Sequence, residues 1–110
     1  MFELIISDSA KSDIREALSY IKNTLFNPKA AEELADMIEE EISALAQFPL
    51  SGTPVPDQFL ADYGFRFLLI KNYKAYYIAD KNKKTVNIIR FLHSSRDYEN
   101  ILKSESVYGL

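Results

Sequence analysis

The 110-residue chain is 47% hydrophobic and 26% charged, with a formal net charge of −3. That length suits one domain spanning 1–110 and leaves no room for two halves that each bury a useful core. Cysteine is absent and the single histidine is His93, which excludes disulfide staples, thiolate nucleophiles and multi-histidine metal sites.

From the N-terminus, Phe2–Ser7 (FELIIS) is a short apolar run that reads as a strand. It lacks the basic start and long apolar stretch of a signal peptide, and no run in the chain is long enough to span a bilayer. The expectation is a cytoplasmic protein with no membrane contact. Ser7, Asp8 or Ser9 can cap a helix whose apolar positions are Ala10, Ile14, Ala17, Leu18, Ile21 and Leu25. Asn27-Pro28 pairs a good N-cap with a residue suited to the first helical position. A second helix follows, apolar at Ala31, Leu34, Ala35, Ile38, Ile42, Leu45 and Ala46. The short connection predicts an antiparallel helical hairpin.

The segment Pro49–Pro56 contains three prolines and a glycine and predicts a loop running to about Tyr63. Gly64–Ile70, Tyr73–Ala79 and Thr85–Leu92 read as three strands, with Lys71-Asn72 near a tight connection and Asp80–Lys84 as a polar turn. Ser94–Leu102 has room for a short helix, and the tail 103–110 is expected to be flexible. The fold class is therefore α+β, in the order β-α-α-β-β-β(-α). An antiparallel sheet carries the two-helix hairpin on one face and leaves the other partly open.

Charge is divided unevenly. Residues 1–50 hold 4 Lys/Arg against 10 Asp/Glu, and residues 51–110 hold 9 against 6. Any anionic partner is expected to meet the second half, although a solvated acidic helix face explains the first half equally well. Three segments of the second half concentrate chemistry: Gly64-Phe65-Arg66, Tyr73-Lys74-Ala75-Tyr76-Tyr77, and the run from Arg90 to Tyr98. Metal-free cleavage of RNA needs a base for the ribose 2′-hydroxyl, cations for the phosphate and an acid for the leaving oxygen. His93 suits the base or the acid. Arg66, Lys74, Arg90 and Arg96 suit the phosphate, and Tyr98 can stack on a base or donate a proton. Each residue also has a plainer role: a hydrogen-bonding histidine at a strand end, an ion pair for Arg66, a surface pair for Arg96, a lysine lying along aromatics, a core tyrosine. Strand alternation puts Arg90 and His93 on opposite faces unless a bulge intervenes.

The element order resembles that of the RelE/ParE superfamily of bacterial type II toxins. So do Asn27-Pro28-Lys29-Ala30-Ala31, Phe48-Pro49-Leu50-Ser51-Gly52, Gly64-Phe65-Arg66 and the segment Arg90–Tyr98, together covering roughly residues 2–102. The resemblance implies a small toxin held inactive by a cognate antitoxin that wraps it. It further implies, as the first reading, a metal-free and cofactor-free mRNA endonuclease acting on the ribosome. Arg66, Arg90, His93 and Arg96 would then be catalytic, and Lys74 and Tyr98 would bind substrate. The alternatives it implies are a ParE-like protein that inhibits DNA gyrase by binding, and a member that has lost activity. The sequence departs from the nuclease branch at Lys74, where an arginine is usual, and after His93, which no tyrosine directly follows. It departs again in Ser51–Asp62, which contains no lysine.

Overall fold

The computed structural model describes residues 1–106. Its elements are β1 (Glu3–Ile6), α1 (Asp8–Ser19), α2 (Pro28–Ala44), β2 (Thr53–Pro54), α3 (Gln58–Tyr63), β3 (Phe65–Ile70), β4 (Tyr73–Asp80), β5 (Thr85–His93) and α4 (Tyr98–Ser106). The strands form one sheet in the order β1-β5-β4-β3-β2. The β2–β3, β3–β4 and β4–β5 pairs are antiparallel, as expected for consecutive strands. β1 is the exception and pairs parallel to β5, which the long crossover from β1 through α1 to β4 permits.

Helix starts follow the local chemistry. Ser7 caps α1: its Oγ accepts from the Ala10 N–H at 3.0 Å and donates to the Ile89 carbonyl at 2.7 Å. The cap therefore also fastens α1 to β5. Asn27 caps α2 through Oδ1 and the Ala30 N–H, with Pro28 at the first helical position, as the sequence predicts. Between the two helices the chain widens into a π-helical segment, Tyr20–Thr24, in which the Leu25 N–H reaches the Tyr20 carbonyl. The turn ends at Phe26, whose φ of 52° lies in the left-handed region. That position after a helix is usually glycine, and a phenylalanine there costs about 1 kcal/mol.

The helical hairpin packs on one face of the sheet. Leu34, Ile38 and Ile42 of α2, with Ala10 and Ala17 of α1, meet Ile70, Ala75, Tyr77, Val86, Ile88 and Phe91. The other sheet face is more covered than expected. The segment predicted as loop holds β2 and α3, and these join α4 in a second core of Val55, Leu60, Phe65, Tyr76, Ile89, Leu92 and Leu102. The six-residue α3 escapes a periodicity reading because it is shorter than two turns; Asp57 caps it and Gly64, at φ 111°, ends it. α4 continues past Leu102 through the first part of the tail expected to be flexible; residues 107–110 of that tail lie outside the described residues. The β3–β4 connection is the two-residue Lys71-Asn72, with Lys71 at φ 56°, the positive φ that primed hairpin turns require.

β5 carries a bulge. Tyr76 pairs with Arg90 and Tyr77 with Ile88, so Ile89 has no direct partner. Val86 and Ile88 face the hairpin, and after the bulge Phe91 does so, while Ile89 and Leu92 face α4.

Candidate functional site

The six residues singled out in the sequence fall at separate places around the sheet. Arg66 on β3 lies against the loop before β2. Its Nη1 donates to the Gly52 carbonyl at 2.7 Å and the Leu50 carbonyl at 3.3 Å. The same loop is held from its other side by Tyr77, whose hydroxyl accepts from the Gly52 N–H at 2.9 Å. A Cβ on Gly52 would stand 2.5 Å from that hydroxyl and 2.8 Å from the Phe67 carbonyl oxygen, so only glycine fits. The Phe48–Gly52 and Gly64–Arg66 motifs thus meet in one structural clasp.

Arg90 is engaged by two carboxylates. Its Nε and Nη2 donate to the two oxygens of Asp13 at 2.7 and 2.9 Å, and its Nη1 reaches Glu105 of α4 at 3.4 Å. Asp13 also accepts from the Phe91 backbone N–H at 3.0 Å. β1 pairs only as far as Ile88, so beyond it the edge of β5 exposes backbone groups, and Ser7 and Asp13 of the helix side satisfy them. The hydrogen bond to Asp13 is the main reason that Arg90 holds its proton more tightly than an ordinary arginine, with burial opposing it. Two nearby carboxylates leave this guanidinium little net charge for a phosphate.

Lys74 lies on the α4 side of the sheet, its Nζ 4.6 Å from the centre of the Phe67 ring. Tyr98 stacks on Tyr76 at 5.3 Å with planes 8° apart, and its hydroxyl accepts from the Asp57 N–H at 3.0 Å. Burial, and next the neighbouring Tyr98, push the Tyr76 phenol up to about 12. His93 and Arg96 are the two that come together. They line a shallow depression of about 170 Å³ with Tyr73, Phe91, Asp13 and Glu16. His93 is exposed and stands edge-on to Tyr73 at 5.3 Å. Its Nδ1 accepts from the Ser95 N–H at 3.2 Å and meets the Ser95 hydroxyl at 2.8 Å. With Nδ1 accepting from that N–H, a neutral ring carries its proton on Nε2. Among the described residues, the guanidinium of Arg96 makes no hydrogen bond or ion pair.

His93 also lines a groove of about 330 Å³ between the hairpin tip and the β3–β4 turn. Tyr20, Leu25, Tyr73 and Lys71 share its walls, and Glu33 closes one side.

Sequence reasoning missed Asp13. The signal was present: Asp13 stands between Ala10 and Ala17 on the buried stripe of α1, where a carboxylate needs a cation. The roles of Asp57 and Glu105 had no comparable signal, since they depend on how α3 and α4 fold back over the sheet. Among the described residues, no helix is long and apolar enough to cross a membrane.

Residues 4–98 match the family described as the ParE toxin of type II toxin-antitoxin systems, parDE. No curated protein matches. Two solved structures are similar in fold. One is the chromosomal ParDE toxin-antitoxin system of P. aeruginosa, at 20% identity and a TM-score of 0.67, covering 84% of this chain and 96% of that one. The other is the RelBE2 toxin-antitoxin complex of Mycobacterium tuberculosis, at 20% identity and a TM-score of 0.58 with the same coverage.

Proposed function

This chain belongs to the ParE toxin family of type II toxin–antitoxin systems, and from that membership we propose that it arrests growth by binding its target, DNA gyrase, rather than by cutting mRNA. The observation that carries this reading is the engagement of Arg90 by Asp13 and Glu105. An in-line phosphodiester cleavage needs cations converging on one phosphate. Here Nη1 of Arg66 is held by two backbone carbonyls, Lys74 and Tyr98 belong to the α4 face, and Arg90 is already neutralised. His93 and Arg96 remain, beside Asp13 and Glu16. One unpaired arginine near two carboxylates is a poor phosphate site. Of the two activities expected from the sequence, ribosome-dependent cleavage and gyrase inhibition, this reading favours the second.

A cognate antitoxin is the second partner in this reading. Both similar structures come from toxin–antitoxin systems, and the cytoplasm is where such a pair and gyrase would meet. The proposal is tested by expressing the chain without antitoxin and following macromolecular synthesis. Early DNA damage signalling with continued translation supports it. Immediate translation arrest with cut mRNA refutes it.

A further inference from the structure

One edge of the sheet is left without a neighbour. β1 is the outermost strand and pairs only with β5. The N–H groups of Glu3 and Ser7 point to β5, at the carbonyls of Lys84 and Ile88. Strand alternation therefore turns the N–H and carbonyl of Leu4 and of Ile6 away from the sheet. Among the described residues, no hydrogen bond reaches those groups. The opposite edge is blunted: β2 is two residues long and one of them is Pro54, which cannot donate to a ladder. β1 carries no proline, no lysine and no bulge.

What this edge lacks is chemically specific. Donors and acceptors at strand spacing are matched by the backbone of another extended polypeptide. Depressions also flank β1 on both faces of the sheet. On the hairpin face, one of about 280 Å³ is lined by Leu4 and Ile6 with Ile14, Leu18 and Ile42. On the other face, one of about 460 Å³ is lined by Ile5, Ile78 and Ile89, with Thr85, Asn87 and the oppositely charged Asp80 and Lys83. An incoming strand sends alternate side chains to the two faces, and apolar ones suit both. β1 is itself such a strand, with Leu4 and Ile6 on one face and Ile5, 42% exposed, on the other. Laid antiparallel to its own copy about a two-fold axis at Ile5, it sets Leu4 opposite Ile6 of the second copy, so that the outward groups of each meet the other's. Glu3, the one charged residue of β1, then falls opposite Ser7, and no like charges meet. We propose that the free toxin forms a two-fold dimer, joined edge to edge through β1 into one continuous sheet. The inference does not depend on which target the toxin arrests.

Sedimentation velocity of the purified toxin, from about 1 μM to about 500 μM, tests this. The expected result is a mass that rises from one chain to two. Ile6→Pro removes an outward N–H and leaves the bonds of Glu3 and Ser7 to β5 in place. Ile5→Lys puts an ammonium on the two-fold axis, where it faces its own copy. Each variant should weaken the dimer by at least roughly tenfold. If Ile6→Pro fails to fold, Ile5→Lys decides, because that side chain is already partly in solvent, and unchanged circular dichroism shows that its monomer is folded. A wild-type toxin that stays monomeric at every concentration would overturn the proposal, as would a dimer that persists in Ile5→Lys. A monomeric wild type whose complex with the cognate antitoxin is weakened by Ile5→Lys would also overturn it, and would assign the edge to a strand of the antitoxin.

Discussion

Asp13 and Arg90 lie 77 residues apart and meet through two hydrogen bonds of 2.7 and 2.9 Å. The same carboxylate accepts the Phe91 N–H at the point where β5 loses its neighbouring strand. One aspartate thus seals a sheet edge and neutralises an arginine that the sequence offers as catalytic.

Asp13→Ala leaves Arg90 with Glu105 alone and the Phe91 N–H without an acceptor. The side chains of Arg90 and Asp13 are 20% and 12% exposed, between the surface and fully buried cases. A loss of about 2 kcal/mol follows, read as a shift of the urea midpoint. Adding Arg90→Met should return part of that loss, because the uncompensated cation is then gone. A double variant less stable than Asp13→Ala alone would show that the pair matters for another reason.

The clasp around Gly52 makes a second test. Gly52→Ala drives a methyl group into Tyr77 and the Phe67 carbonyl and should cost about 2 kcal/mol or more. Arg66→Lys keeps the charge but shortens the side chain, drawing its nitrogen back from the two carbonyls that Nη1 reaches, and should cost about 1 kcal/mol. Growth arrest by Arg66→Lys at equal protein level should match wild type. Abolished arrest in a folded Arg66→Lys protein would return Arg66 to a reactive role.

Stability should decline in alkaline solution. The Tyr76 phenol is raised from 10.0 to about 12 by burial and by Tyr98, and burial also raises Tyr73 and Tyr77. Between these values the unfolded chain has released the Tyr76 proton and the folded chain still holds it. The folded state therefore loses its advantage as pH rises from 10 towards 12, by on the order of 2 kcal/mol for Tyr76. Urea midpoints measured from pH 8 upward should show the fall, and Tyr76→Phe should make it shallower. An equal slope in that variant would assign the effect to other groups.

Much of this fold is written in local signals. The caps at Ser7 and Asn27, the helical periodicities, the Lys71-Asn72 turn and the three strands of the meander all stand where short-range rules put them. β2 and α3 escape because a two-residue strand and a six-residue helix are shorter than the patterns that reveal them. The bulge at Ile89 is invisible for a different reason: alternating and bulged readings of an apolar run such as Asn87–Leu92 are both self-consistent. The site is less legible than the fold. An arginine in a strand looks the same in sequence whether it faces a phosphate or an aspartate from another helix, and only the packing of α1 and α4 against β5 decides. Phe26 left no trace because nothing in its residue type announces a left-handed backbone.

The most direct measurement is supercoiling of relaxed plasmid by purified gyrase, with toxin titrated in the absence of ribosomes. The expected result is dose-dependent inhibition by the wild-type toxin, reversal by the cognate antitoxin, and undiminished inhibition by Lys74→Gln, where the ammonium sits on the Phe67 ring. Full supercoiling at every toxin concentration, from a preparation that still arrests growth when expressed, would contradict it.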